Sequence, residues 1–462
     1  MRNEGYNVVR IFLDGTCRLG CLTDTASADG LSRPYLTNVA DFIQRAKANG
    51  IFVLLSLEAL PYGSTYETLA RASCCTTFDR ENAIYLTAAG AEGHRLFWQA
   101  LIRALHSLNA PLDYVWGYEL VSEVFFRETS PPLNFGAASV TTGNGSTYDM
   151  AVPAQKQQMM DENLVWWVDR VRSAILEVDP TALVGIGTLW PKGPNPARGG
   201  DPRAIRAQPL IASSGLDFVG LHLHPGVELT FAEYMENYEL TAPAVKPVVL
   251  GDFGAFQFAY PTVADADRIL KATQADACAY GVDGWVFWSW DTNEFAVGDQ
   301  TMWHGMSSGG VIGLGLGPRL RPDPCAAVPG AGNLALGKPV TATAEADGPA
   351  TRAVDGLIGT IWGSGASAQQ WIDIDLGTPT SVGRIRLFVT QTPNGVTTHR
   401  IWTRATTGDP WQQRHEFAAF TSEGQVLEHT QDPVWTNVRY VRVDTASSPS
   451  WVSWREIEIY GF

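Results

Sequence analysis

Positive charge is scarce in this sequence. Lys and Arg together number 33 against 48 Asp and Glu, which leaves a formal net charge of −15 over 462 residues. An acidic surface repels phosphate backbones, so nucleic acid is excluded as a partner. Long apolar runs are missing too: no stretch reaches the roughly 18 residues of a membrane-spanning helix. No secretory leader is legible, because the opening MRNEGYNVVRIFLDG reads as a helix end running into a strand. Cysteine is sparse, with Cys17, Cys21, Cys74, Cys75, Cys278 and Cys325 only. Their spacings match no zinc pattern and no His lies close in sequence, so loop-stapling disulfides are expected in preference to a metal site. Disulfides imply an oxidising setting, and a secreted, extracellular protein is expected. No internal repeat links the two halves of the chain, and a monomer is expected.

Aromatic residues are plentiful: 16 Trp, 14 Tyr and 19 Phe, while charged residues make up only 18%. Such a load suits proteins that stack sugars on flat apolar rings, although aromatics also fill cores. Up to about residue 315, short β-branched or apolar runs alternate with helical patterns. The runs are 7–13 (NVVRIFL), 51–57 (IFVLLSL), 114–120 (YVWGYEL), 182–187 (ALVGIG), 217–221 (DFVGL), 247–251 (PVVLG) and 284–288 (GWVFW). Helical spacing of apolar residues marks 39–48, 91–108, 157–178, 231–240 and 264–280. A βαβα order predicts an α/β fold with a parallel sheet. The strands number seven, where a (β/α)8 TIM barrel has eight. The expectation is therefore an N-terminally truncated barrel lacking its first strand, with a closed seven-stranded barrel as the alternative. Residues 316–332, rich in Pro, Gly and Ala, read as a linker. From 333 to 462 helical spacing vanishes and alternating strands follow at 371–376, 384–389, 440–444 and 456–460. These predict an all-β jelly-roll sandwich.

In a parallel barrel the functional groups sit at the C-terminal ends of strands. Three strand ends carry suggestive residues: Ser122 and Glu123 after GYEL, Asp252 after PVVLG, and Trp288, Trp290 and Asp291 in WVFWSWD. Two carboxylates from different strands can face each other across the barrel mouth. One can then protonate a leaving oxygen while the other attacks an anomeric carbon. The two need opposite protonation states, which mutual repulsion and a nearby cation can set. Arg10 is the candidate cation, or else part of an ordinary salt bridge inside the barrel. Singly, Glu123 and Asp252 also read as solvated loop carboxylates.

WGYELVSEV resembles the WGYELVNEP signature of the clan A glycoside hydrolases of cellulase and mannanase type. KPVVLGDFG resembles their KPVVLGEFG, GVDGWVFWSWD their eighth-strand segment and NVVRIFLDG their second. The resemblance covers about residues 1–320. It implies a retaining β-glycoside hydrolase acting on a β-linked poly- or oligosaccharide, without a catalytic cofactor. Glu123 would be the general acid/base, Asp252 the nucleophile, and Arg10 the support of that nucleophile. His222 or His224 would line the pocket, and Trp288 would lie beneath the reacting sugar. Tyr62, Trp190, Phe256 and Trp303 are further candidate sugar-binding aromatics, and Glu58 and Glu119 are secondary. Two departures stand out: Ser122 replaces an Asn that holds a sugar 2-hydroxyl, and Asp252 replaces a Glu. The shorter Asp withdraws its carboxylate by roughly 1–1.5 Å, a displacement worth on the order of 100-fold in rate. A catalytically impaired carbohydrate-binding or adhesion protein on the same scaffold is the alternative.

At the C-terminus, NLALGKPVTATA, RAVDGLIGTIWGSG, QWIDIDLG and YVRVDTASSPSWVSWREIEIYG resemble the discoidin, or coagulation-factor type C, domain. Carbohydrate-binding modules of family thirty-two share that fold. The resemblance implies a structural calcium ion at Asp355, Thr360 and Glu456, residues whose hard oxygens suit it and which otherwise are turn residues. It also implies exposed sugar-binding aromatics among Trp402, Trp435 and Trp451, with Trp362, Trp371 and Trp454 in the core.

Overall fold

The computed structural model describes residues 1–13, 17, 20–189, 205–224, 229–240, 245–290, 303–306, 311–325, 332–356 and 359–461. All seven expected apolar runs of the N-terminal part are strands: β1 (Val8–Leu13), β2 (Phe52–Leu57), β3 (Val115–Glu119), β6 (Val184–Thr188), β7 (Phe218–His222), β8 (Val248–Phe253) and β9 (Gly284–Phe287). A small hairpin, β4 (Ser139–Thr141) with β5 (Thr147–Asp149), is inserted after β3. The seven pair in the order β1-β2-β3-β6-β7-β8-β9, every pair parallel, in a nearly closed, barrel-like sheet. Helices return the chain between strands: α1 (Arg33–Ala48), α2 (Thr65–Ala70), α3 (Arg80–Leu86), α4 (Ala88–Ser107), α5 (Pro153–Leu176), α6 (Ala207–Ser213), α7 (Phe231–Asn237), α8 (Val263–Cys278) and α9 (Val311–Leu316). Ser32, Ser64, Asp79, Thr87 and Thr262 each accept a backbone N–H at a helix start, and Thr230 with Glu233 forms a capping box.

Side chains alternate in and out along a strand, which sorts the barrel interior into layers. At one end Leu54, Phe218 and Val249 are buried together, with Val8, Trp116 and Val286 packed on them. Two residues further along β1 and β2 come Arg10 and Ser56, so the apolar floor gives way to a polar layer at the C-terminal ends. Glycines make that layer possible. A Cβ on Gly251 would stand 3.0 Å from His222 Nε2, and one on Gly220 would stand 3.1 Å from Glu119 Oε1.

The strands differ in how deeply they are covered. β6 and β7 are buried along their whole length, whereas β9 is half-buried throughout and β1 is buried only at Leu13. Among the described residues no strand joins β9 to β1. Aromatic side chains close that seam instead. Tyr6 meets Phe287 and Trp290 edge-on at 6.5 and 5.6 Å and donates to the Gly313 carbonyl at 2.7 Å, and Phe12 meets Trp288 edge-on at 5.5 Å.

The C-terminal part is a sheet of antiparallel strands. They are β10 (Val340–Ala342), β11 (Trp362–Gly363), β12 (Gln370–Val389), β13 (Gly395–Arg404), β14 (Gln412–Thr421), β15 (Val426–Ser447) and β16 (Ser453–Tyr460). Two runs expected as separate strands, 371–376 and 384–389, are halves of β12, whose register against β15 shifts between Asp375 and Arg384. β13 and β14 were not legible in the sequence, because they are polar and β14 is largely exposed. Trp362, Trp454, Ile372, Ile385, Val443 and Ile457 lie in its core. Trp371 is not in the core: it is half-buried beneath the Arg442 guanidinium, 4.2 Å from its ring centre. Trp435, expected exposed, is buried, and Trp402 is half-buried.

The six cysteines pair as Cys17–Cys21, Cys74–Cys75 and Cys278–Cys325.

Candidate functional site

Arg10 organises the polar layer. From β1 its guanidinium enters the barrel and is almost fully buried, with side-chain exposure of 3%. Its Nε donates to Glu119 Oε2 at 2.8 Å, Nη1 to the Gly251 carbonyl at 3.0 Å, and Nη2 to Ser122 Oγ at 2.9 Å and Ser56 Oγ at 3.3 Å. Ser56 also donates to Glu119 Oε2, at 2.5 Å. The main carboxylate partner of Arg10 is thus Glu119, and Asp252 stands further away, at 3.6 Å from Nη1. Arg10 thus pairs closely with Glu119 and more loosely with Asp252, the carboxylate it was expected to support. Glu119 lies on the inward face of β3 and is fully buried. The signal for it was present in the sequence: Ser56 and Glu119 interrupt apolar runs, and buried polar groups need partners.

Glu123 and Asp252 converge. Oxygen atoms of both carboxylates and a ring nitrogen of His222 all lie within 4.8 Å of one another. Backbone bonds hold the Glu123 segment on two sides: Ser122 N–H donates to Leu57 O at 2.8 Å and Val124 N–H to Gly187 O at 2.9 Å. His222 and Asp252 are cross-strand partners on β7 and β8. His222 Nδ1 lies 3.0 Å from Glu123 Oε1, and its Nε2 lies 3.5 Å from Arg10 Nη2. A guanidinium only donates, so Nε2 carries the lone pair and the Nδ1–H donates to Glu123. Tyr238 Oη donates to the His222 carbonyl at 2.9 Å and fixes that residue from behind. Tyr238 and Ser56 are site residues that sequence reasoning did not single out.

Burial pushes the Asp252 carboxyl up to about 6, against the pull of His222 and Arg10, and the charges of Glu123 and Glu119 add to the rise. Burial also works to raise Glu123. The His222 hydrogen bond and the Arg10 charge outweigh it and hold that carboxyl below its ordinary range. Two acids so close titrate as a pair. In the free site their shared proton favours Asp252.

Of the two expected histidines, His222 bonds to a carboxylate of the pair. His224 is buried one layer behind, with its ring centre 4.5 Å from Trp303 and 5.2 Å from Phe256, and burial lowers it to about 3. Phe256 and Trp303 stack at 3.8 Å, and Trp303 is buried rather than open to a sugar. Tyr62 is exposed. Trp288 is half-buried at the end of β9, against Phe12. Ser122 is buried and turned toward Arg10. Trp190 and Asp291 lie outside the described residues.

A second site opens on the sandwich. The β12–β13 and β15–β16 loops enclose a cavity of about 390 Å³ lined by Thr390, Gln391, Thr392, Ser450, Trp451 and Ser453. Trp451 is 59% exposed, so its ring face is open to solvent at this rim. On the same sandwich Glu456 is buried, accepting at Oε1 from Gly356 N–H at 3.2 Å and Asn333 Nδ2 at 3.4 Å, while its Oε2 is buried without a hydrogen bond. Burial, then Glu458 and Asp355, push its carboxyl well up. Thr360 Oγ1 donates to Asp355 Oδ2 at 2.8 Å. An orphaned carboxylate oxygen beside a second carboxylate and a hydroxyl is a donor set that fits calcium.

The antiparallel topology and the sequence of this region agree with one family: residues 339–457 match the family model of the F5/8 type C domain. The C-terminal unit is an F5/8 type C domain. Solved structures similar to the chain cover about this same share of it. One is chitosan-binding module 1 from a chitosanase/glucanase of Paenibacillus sp. IK-5, at 30% identity and TM-score 0.25, covering 28% of this chain and 99% of that one. Module 2 of the same source, in complex with chitotriose, is 28% identical with TM-score 0.24, covering 28% of this chain and 100% of that one. The family 32 module of C. perfringens NanJ, in complex with galactose, is 20% identical with TM-score 0.24, covering 26% and 92%. No curated protein matches the chain. No helix among the described residues is long and apolar enough to cross a membrane.

Proposed function

We propose that the chain is a retaining β-glycoside hydrolase, built on a TIM-type barrel like that of the clan A enzymes, with its F5/8 type C domain binding carbohydrate. The observation that carries this reading is the approach of Glu123 and Asp252, brought by separate strands to within 4.8 Å. Retaining glycosidases hold their carboxyl groups about 5–5.5 Å apart, whereas inverting ones leave room for a water. Glu123, the more exposed of the two at 36%, protonates the leaving oxygen; Asp252, at 12%, attacks the anomeric carbon. The productive state needs Asp252 ionised and Glu123 protonated. Below about pH 6 the pair keeps one proton, which sits on Asp252 in the free site, and substrate binding has to move that proton to Glu123. Arg10 faces the Asp252 carboxylate across 3.6 Å and, bound to Glu119, Ser122 and the Gly251 carbonyl, fixes the backbone just before it.

The test is turnover of aryl β-glycosides and β-linked polysaccharides by the full chain. Glu123→Gln and Asp252→Asn are each expected to lower kcat by roughly 10²–10⁴, and kcat/KM is expected to fall as pH rises above about 6, where the pair loses its one proton. Turnover that survives both substitutions rules the assignment out. The proton's preference for Asp252, and the engagement of Arg10 with Glu119, favour a second reading in which the barrel binds sugar without cleaving it. Sugar binding with no turnover across pH 5–8 (roughly the range about the Asp252 transition) selects that reading.

For the F5/8 type C domain, Trp451 and the polar cavity beside it offer a stacking face with hydrogen-bonding groups. Trp451→Ala is expected to abolish glycan-array binding, and unchanged binding moves the site elsewhere. Asp355, Thr360 and Glu456 would hold calcium, which neutralises their carboxylates; chelation is then expected to lower the Tm of this domain. The three disulfides support a secreted protein.

A further inference from the structure

The F5/8 type C domain does not hang from the barrel by its linker alone. Its strands β12, β15 and β16 present Arg384, Arg386, Glu428 and Glu458 to the start of α8, the helix that follows the strand bearing Asp252. There Asp265 is fully buried. Its Oδ1 accepts from Arg384 Nη2 at 2.6 Å and from Arg268 Nη2 at 3.2 Å, and its Oδ2 lies 3.4 Å from Arg386 Nη2. Arg386, whose side chain is 1% exposed, also donates to Glu458 Oε2 at 2.6 Å. Arg384 bridges onward to Glu428 at 2.7 Å. The Arg268 guanidinium of α8 lies 4.2 Å from the ring centre of Tyr460, the last residue of β16. Three acids and three arginines thus balance in a seam that is buried at Asp265 and Arg386 and open at Glu428.

Buried ion pairs add little net strength, because desolvation offsets their attraction. They do punish any arrangement that leaves one charge unpaired, and so they specify geometry. A freely tethered module would keep Arg386 in water. The other end of α8 is tied as well: Cys278 bonds to Cys325, and Arg321 donates to Gln274 at 3.1 Å and to the Pro324 carbonyl at 2.8 Å.

The seam connects to the candidate active site through nine residues of loop, 254–262. Tyr260 is buried there. The Tyr260 carbonyl accepts from His304 Nε2 at 2.6 Å, while its N–H donates to Phe256 O at 2.8 Å. Phe256 stacks on Trp303, which packs on His224.

We infer that the F5/8 type C domain is a fixed part of the barrel's functional site, and that docking at Asp265 and Arg268 positions the Asp252 loop and the Phe256–Trp303 wall. Its effect on turnover rests on the hydrolase reading above; the docking itself does not.

The test compares the full chain with Arg384→Glu, which sets a carboxylate against Asp265 and Glu428, and with Asp265→Asn, a milder change on the barrel side. Arg439→Ala, which breaks a surface pair with Asp375, controls for charge loss. Small-angle scattering and thermal unfolding read docking; kcat and KM on a soluble aryl β-glycoside, too small to need a targeting module, read positioning. The expected result is one cooperative transition and a compact envelope for the parent and for Arg439→Ala. Arg384→Glu is expected to show two transitions and a larger radius, with kcat down about tenfold or more and KM little changed. Asp265→Asn should fall between. An undocked Arg384→Glu with full kcat overturns the positioning role. Unchanged scattering and a single transition in both variants overturn the docking. If the parent turns over no glycoside, the hydrolase reading fails, and docking still stands or falls on scattering and melting.

Discussion

Asp252 carries a carboxylate into a place that resists its charge. Its pKa rises from 3.8 to about 6 mainly through burial. A raised acid binds its proton more tightly folded than unfolded, so ionising it costs stability. That cost, about 3 kcal/mol, is fully present above pH 6 and is relieved as the pH falls through 6 toward 4. Asp252→Asn is therefore expected to raise Tm at pH 8 and to leave it nearly unchanged at pH 4, the pattern of a functional residue that burdens its fold. Equal gains at both pH values would contradict that origin. Gly187 is as constrained: a Cβ there would collide with the Ser122 carbonyl and stand 2.8 Å from His222 Nε2. Gly187→Ala is expected to destabilise by about 1–3 kcal/mol and to shift the His222 ring resonances in NMR spectra.

At the scale of elements, the nearly closed sheet is unequally protected. β6 and β7 are flanked on both sides and wholly buried, while β1 and β9 are edges whose seam is held by side chains. Local opening follows the weaker packing. Amide hydrogen exchange is expected to be faster in β1 and β9 than in β6 and β7. Tyr6→Ala, which removes both edge contacts and the bond to Gly313, is expected to widen that difference and to lower stability by about 2 kcal/mol. Uniform protection across the seven strands would show that the seam behaves as a paired edge.

For the whole molecule, the Cys278–Cys325 bond spans 47 residues of sequence and ties the barrel to the approach of the F5/8 type C domain. By loop-closure entropy it restrains the unfolded chain by about 4 kcal/mol. Cys278→Ser with Cys325→Ser is expected to lower Tm by several degrees and to lower the scattering-derived compactness, because the linker then reaches the domain unpinned. No change in either would mean that the charged seam at Asp265 carries the docking alone.

The strand and helix order was legible because burial imposes a period. Apolar runs such as IFVLLSL could only be covered on both faces, and ALHSLN-type spacing could only line one face of a helix. The strand-end acids were legible for the same reason: Asp252 follows such a run directly and Glu123 comes three positions after one. Strands β13 and β14 escaped because an exposed polar strand has no apolar rhythm to read. The partner of Glu119 was not legible because it is 109 positions away, and only the closing of the sheet sets Arg10 beside it at 2.8 Å. Sequence alone thus determined which segments are strands and which acids stand at their ends, since both follow from local pattern. Tertiary structure decided that Arg10 serves Glu119 as well as Asp252, that His222 serves Glu123, and that Asp265 meets Arg384 across two domains. Those are distances between remote parts of the chain, and charge pairing is settled by distance and desolvation rather than by residue type.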